Sequence, residues 1–160
     1  MIKLRHLFEQ QQDDIHTIVV GGVNWADANF MKDEWKKADE FGKIDPGVAF
    51  INYTDKTEFD RLIKNYDIKN IMGFSGGARR IWPHINNSKF ELIGLIDPET
   101  NKIYKSLPSN VIMISDHKNW DKVRYPNIRR KLKEMEDNGV STRTEIPHKL
   151  MPFQFFITYL

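Results

Sequence analysis

Three observations predict an α/β fold: a three-layer, mainly parallel sheet of about six strands with helices on both faces. Short apolar runs alternate with segments of helical spacing from about residue 15 onward. The runs IHTIVV (15–20), VAFINY (48–53), IKNIM (68–72), FELIGLI (90–96) and VIMIS (111–115) are close to continuously apolar, as strands covered on both faces must be. The polar punctuation at Gly21-Gly22, Ser75, Asp97, Asp116 and His148 follows the ends of strand candidates. Open α/β sheets place their sites beyond the C-terminal strand ends.

Taken in order, residues 2–11 fit a short helix with Leu4, Leu7 and Phe8 inward, followed by a polar joint, QQQDD, at 10–14. The first core strand, 15–20, closes on Gly21-Gly22. Asp27 or Asn24 then suits the cap of a helix carrying Phe30, Met31, Glu34/Trp35 and Ala38 at helical spacing. GKIDPG (42–47) breaks the chain before the next strand, 48–53. Asp55 and Glu58 have the spacing of a capping box, and Phe59, Leu62, Ile63 and Tyr66 mark one face of the helix they start. Residues 68–72 lead into IMGFSGGARRI (71–81), after which Ala78, Ile81, Trp82 and Ile85 share a face until Pro83 and Asn86-Asn87 interrupt it. The strand at 90–96 stops at Asp97-Pro98, and the strand at 111–115 stops at Asp116. Ile128, Leu132 and Met135 line a helix from about Pro126 to Asn138, with Pro126 suited to its first turn and Gly139 to a left-handed cap. STRTEI (141–146) is a weaker strand. A last helix carries Met151, Phe153, Phe156, Ile157 and Leu160.

The chain has 160 residues, 40% of them hydrophobic, with ten phenylalanines. That suffices for one domain, 1–160, with its core from about residue 15. The formal charge is +2, with acidic and basic residues interspersed, which argues against a dedicated nucleic-acid surface. The one basic cluster, RRKLK (129–133), is followed at once by EMED (134–137) and reads as a solvated helix face. The absence of cysteine excludes disulfides, thiolate zinc sites and cysteine nucleophiles. No window approaches a membrane span and no signal-peptide pattern opens the chain, so the expected setting is cytoplasmic. Oligomeric state is left open.

The organising motif is GFSGG (73–77), which fits G-x-S-x-G at a strand-to-helix turn. A serine there is inert without a base to take its proton. In this context the chain resembles the α/β-hydrolase fold family, whose nucleophile, acid and histidine follow in the order Ser, Asp, His. The resemblance covers roughly residues 15–160. It implies a small, lidless member that lacks the family's first two strands, with Ser75, Asp116 and His148 as catalytic triad. Asp116 is preferred to the alternative acid Asp97 because its strand lies farther along the sheet, in the usual family location. The oxyanion hole would use the backbone of Gly76 and of Val23 or Gly22. Asn24, Phe74, Arg79, His117 and Trp120 are candidate substrate contacts.

The activity so implied is a serine hydrolase, esterase-like, cleaving an ester or related acyl bond through a covalent acyl-serine. Its substrate would be a small-molecule or acyl-bearing compound, with no cofactor and no metal. Asp116-His117 has the look of a metal pair, but no second His/Asp cluster accompanies it in sequence. Two other readings compete: a catalytically inactive hydrolase-like interaction module, and a flavodoxin-like nucleotide- or phosphate-binding domain that would use the glycine-rich turn for an anion. Neither G-x-x-x-x-G-K-[ST] nor G-x-G-x-x-G occurs at that turn. His84, beyond a proline, is expected to pack or to face solvent.

Overall fold

The structure, a computed structural model, describes residues 15–40 and 47–160. The helix expected at 2–11, the polar joint and most of the break at 42–47 lie outside the described residues. Six strands form one parallel sheet in the order β2-β1-β3-β4-β5-β6: β1 (Thr17–Gly21), β2 (Val48–Asn52), β3 (Asn70–Phe74), β4 (Leu92–Ile96), β5 (Val111–Ser115) and β6 (Thr142–Arg143). Among the described residues five α-helices accompany it: α1 (Ala28–Asp39), α2 (Lys56–Asn65), α3 (Ala78–Ile81), α4 (Pro126–Asp137) and α5 (Met151–Tyr159).

Because successive strand residues point to opposite faces, each apolar strand feeds two cores. Ile18, Val20, Ile71, Ile93, Leu95 and Met113 pack with Phe59 and Leu62 of α2, Ile81 of α3 and Leu132 and Met135 of α4. On the other face Val19, Met72, Phe74, Ile96 and Ile114 pack with Met31, Trp35 and Ala38 of α1 and Met151, Phe155 and Phe156 of α5. The Trp35 ring meets Phe156 at 5.0 Å and Phe50 at 5.8 Å between centroids. Full burial of one such large side chain stabilises by about 1.5–3 kcal/mol. The three-layer sandwich expected from the strand composition is therefore present.

Local signals are partly realised. Asp27 caps α1 by accepting from the Phe30 N–H at 3.0 Å. Asp55 caps α2 through the Glu58 N–H at 3.1 Å, but the reciprocal half of the box does not form, because Arg61 draws the Glu58 carboxylate away with two bonds of 2.7 Å. The helix after Ser75 has one α turn and passes into a tighter 3-10 turn at Trp82–His84, where Pro83 interrupts it. Gly139 has φ 72 and follows the C-cap of α4, as its position predicted. Among the described residues no helix is long and apolar enough to cross a membrane.

Candidate functional site

The sheet register determines which loops can meet. Phe74 of β3 pairs with Ile96 of β4, so Ser75 and Asp97 are the first residues beyond two adjacent strands. Asp116 is the first residue beyond β5, one strand farther away. Four described non-glycine residues have left-handed backbone: Asn24 (φ 57), Ser75 (φ 54), Asp97 (φ 41) and Glu145 (φ 57). This conformation costs a side-chain-bearing residue of order 1–3 kcal/mol and clusters at functional sites. Asn24 and Ser75 line one cavity, and Asp97 holds Asn119, Trp120 and His148 of its walls in place.

That cavity, of about 380 Å³, lies at the C-terminal ends of the strands. Gly22, Val23, Asn24 and Trp25 follow β1. Ser75, Gly76 and Gly77 follow β3, and their turn packs so closely on β1 that a Cβ at Gly77 would lie 2.4 Å from the Val20 carbonyl oxygen. Gly22 and Gly76 are buried against this turn, whereas Val23 is exposed and lines the cavity. Asn119, Trp120, Asp121, Arg124 and Tyr125 come from the loop after β5, and His148 from the loop after β6. Phe74 is fully buried and meets the His148 ring at 4.5 Å, packed behind it rather than lining the cavity.

The buried Asp97 carboxylate organises this end of the sheet. Its Oδ1 accepts from the Asp116 N–H at 3.2 Å and the Trp120 indole N–H at 3.3 Å. Its Oδ2 accepts from the Asn119 amide at 3.0 Å and from His148 Nδ1 at 2.5 Å. An acceptor-only carboxylate on Nδ1 leaves Nε2 as the unprotonated nitrogen of a neutral ring. Among the described residues, the Ser75 hydroxyl, His148 Nε2 and the Arg124 guanidinium make no hydrogen bond. Arg79 is held by Glu99 at 2.7 and 2.9 Å, and that hydrogen bond pushes its guanidinium further above the ordinary value. Asp121 accepts from the Val123 and Arg124 N–H groups at 2.8 Å each. These backbone bonds hold its carboxyl below the ordinary value.

The expected relay is corrected here. Asp116 does not reach His148; its Oδ1 accepts from the Lys118 N–H at 3.0 Å and caps the turn His117–Asn119. It belongs instead to a buried cluster with His117 and Glu136, whose ligand-capable atoms all lie within 4.8 Å of one another. That cluster contains no serine. No hydrogen bond joins Ser75 to His148 either, so a Ser75–Asp116–His148 triad is not assembled. The serine-esterase assignment, with its nucleophile elbow and acyl-serine intermediate, is withdrawn with it. The sheet position explains the error: β4, not β5, adjoins β3, and the loop bearing His148 folds back to the nearer strand end. His117 is also corrected, because its side chain turns away from the cavity toward α4.

In the cluster, the His117 backbone N–H donates to both Glu136 carboxylate oxygens, at 3.2 and 3.1 Å, and Nδ1 lies 3.1 Å from Oε2. The side chains of His117 and Glu136 are 9% and 1% exposed. Burial pushes the Glu136 carboxyl above its ordinary value; the bonds from His117 oppose this and the charge of Asp116 adds to it. Glu136 escaped the sequence reading because it lies nineteen residues from His117 inside the charged run EMED. Its only signal was its place next to the inward-facing Met135.

Two other depressions lie elsewhere. The larger, about 550 Å³, sits between α1 and the edge strand β2. The second, about 430 Å³, lies between Trp82 and Thr100, with Arg79 and Glu99 among its walls. Neither contains Ser75, Asp97 or His148.

The described residues form a three-layer α/β sandwich with a crevice at the strand ends where the chain order reverses between β1 and β3. No family model matches the chain, and no curated protein or solved structure matches it.

Proposed function

We propose that this chain is a binding domain for a small, ring-bearing anion of the mononucleotide class, held non-covalently in the crevice above β1 and β3. The observation that carries this reading is the coincidence of the topological switch point with the cavity of about 380 Å³. Its first five strands run in the order 2-1-3-4-5, in which flavodoxin-like domains hold a mononucleotide at the β1/β3 reversal. A volume of this size is within the range of small-ligand pockets, about 300–1,000 Å³. The resemblance to α/β-hydrolases enters as a shared scaffold and not as a reaction.

The lining supports the same ligand chemistry. Trp25 is 56% exposed and Tyr125 47% exposed at the cavity, an arrangement that wastes apolar area unless a planar group covers it. Arg79 is already neutralised by Glu99, and Asp121 is turned to its own backbone. Arg124 is therefore the guanidinium open to a phosphate. The Ser75 hydroxyl and His148 Nε2 supply a donor–acceptor group and an acceptor at the floor. The backbone of Val23 and Gly76 flanks that floor.

The test is equilibrium dialysis with AMP and with FMN, alongside a fluorophosphonate labelling experiment. Saturable binding of at least one nucleotide is expected, weakened about fivefold or more by Trp25→Ala and by Arg124→Ala, since one stacked ring contributes about 1–3 kcal/mol and a bond to a charged group about 1.5–3 kcal/mol. Neither nucleotide binding, or a fluorophosphonate adduct on Ser75, would overturn the reading; the adduct would show a reactive serine where none is proposed.

A further inference from the structure

We infer that Asp116, His117 and Glu136 form a binding site for one divalent transition-metal ion, separate from the nucleotide crevice. The three residues come from two elements that the fold brings together: the turn after β5 and the last turn of α4. Their ligand atoms lie within 4.8 Å of one another, and the His117–Glu136 pair stands at 3.1 Å. Four ligands at about 2.0–2.2 Å from a tetrahedral ion are spaced about 3.3–3.6 Å apart, so small rotations would close the set.

Charge supplies an independent argument. Asp116 is 4% exposed as a residue and the Glu136 side chain 1%. Among the described residues, no Lys or Arg stands within ion-pair distance of either carboxylate, and His117 is their one basic neighbour. Of the two Asp116 oxygens only Oδ1 accepts a hydrogen bond, from the Lys118 N–H, so Oδ2 is not committed to a protein donor. Buried carboxylates are ordinarily paired with a cation or bound to a metal. The cluster also lies at the C-terminal end of α4, where the helix dipole places partial negative charge and favours a cation.

The donor set selects the class of ion. One imidazole nitrogen with two carboxylate oxygens suits zinc and its first-row neighbours; an all-oxygen set would suit magnesium or calcium. The residues must lose protons to bind, so metal uptake releases protons.

The test uses chelator-treated full-length chain titrated with Zn²⁺ alone against a chromophoric competitor, in weakly buffered solution that also reads proton release. One Zn²⁺ per chain, with proton release and a raised thermal midpoint, is expected. Glu136→Gln should weaken binding about 100-fold or more, beyond the 10–100-fold typical of residues that only support a ligand. Asp116→Asn serves as the second variant should Glu136→Gln fail to fold, and His84→Gln should bind as wild type does. Absence of saturable zinc binding, or binding that both Glu136→Gln and Asp116→Asn leave unchanged, would overturn the inference. Nucleotide dialysis on the same samples reads the crevice independently.

Discussion

Asp97→Asn and Asp116→Asn are nearly isosteric changes at consecutive strand ends, yet the structure assigns them very different costs. Asp97 is 0% exposed and accepts four hydrogen bonds, from Asp116, Trp120, Asn119 and His148. An asparagine keeps one accepting oxygen and turns an NH₂ group toward two of those donors. Two buried donors then lose an ionised acceptor, at about 1.5–3 kcal/mol each, for a total of roughly 3–6 kcal/mol. Asp116 makes a single cap bond to the Lys118 N–H, which asparagine reproduces well. Its lost charge also relieves Glu136, so its net cost should stay below about 1 kcal/mol. At about 2–4 °C per kcal/mol for a chain of this size, thermal unfolding followed by circular dichroism in chelator-containing buffer should show a drop of roughly 6–24 °C for Asp97→Asn. Asp116→Asn should fall by no more than about 4 °C. Equal losses, or a larger loss for Asp116→Asn, would refute the claim that Asp97 organises this end of the sheet.

Three further outcomes follow from the same geometry. Gly77→Ala places a methyl group 2.4 Å from the Val20 carbonyl oxygen, so urea unfolding should show about 1–3 kcal/mol lost to overpacking. The His148 ring should be the Nδ1–H tautomer in long-range ¹H–¹⁵N spectra at alkaline pH; Asp116→Asn should keep that signature and Asp97→Asn should lose it. His84 packs against Phe59 and Phe90, and burial lowers its pKa despite the opposing charge of Asp60. Its stabilising contribution is thus fully present above the ordinary histidine value of 6.5 and is lost as pH falls through the lowered folded value. His84→Phe should therefore lose less stability between pH 8 and pH 5 than wild type does, as read from urea midpoints.

The layers were legible because nearly continuous apolar strands and single-face helices are local signals, read directly from β1, β3, β4 and β5 and from α2 and α4. β6 was faint because it has two residues, Thr142 and Arg143, both exposed. The site was legible as a place and misread as a set of contacts. Ser75 and His148 were expected at one end of the sheet and do line one cavity. The partner of His148 depends on strand order and register, which no local pattern carries: Phe74 opposite Ile96 brings Asp97 beside the Ser75 turn. The Asp116-His117 pair was visible in sequence, but its third member, Glu136, is recruited by the packing of α4 against the turn after β5. Trp25 shows the same limit, since its exposure above the crevice depends on the Asn24–Ala26 turn at positive φ.

The most direct test of the crevice as the binding site is an amide ¹H–¹⁵N titration of the full chain with AMP and with FMN. Saturable shift changes should gather at residues 23–26, 75–77, 119–125 and 148, the loops that surround the cavity of about 380 Å³, with resonances at Trp35 and Phe50, in the separate depression between α1 and β2, unmoved. Saturation centred on Trp35 and Phe50, or no saturable change with either nucleotide, would contradict the account.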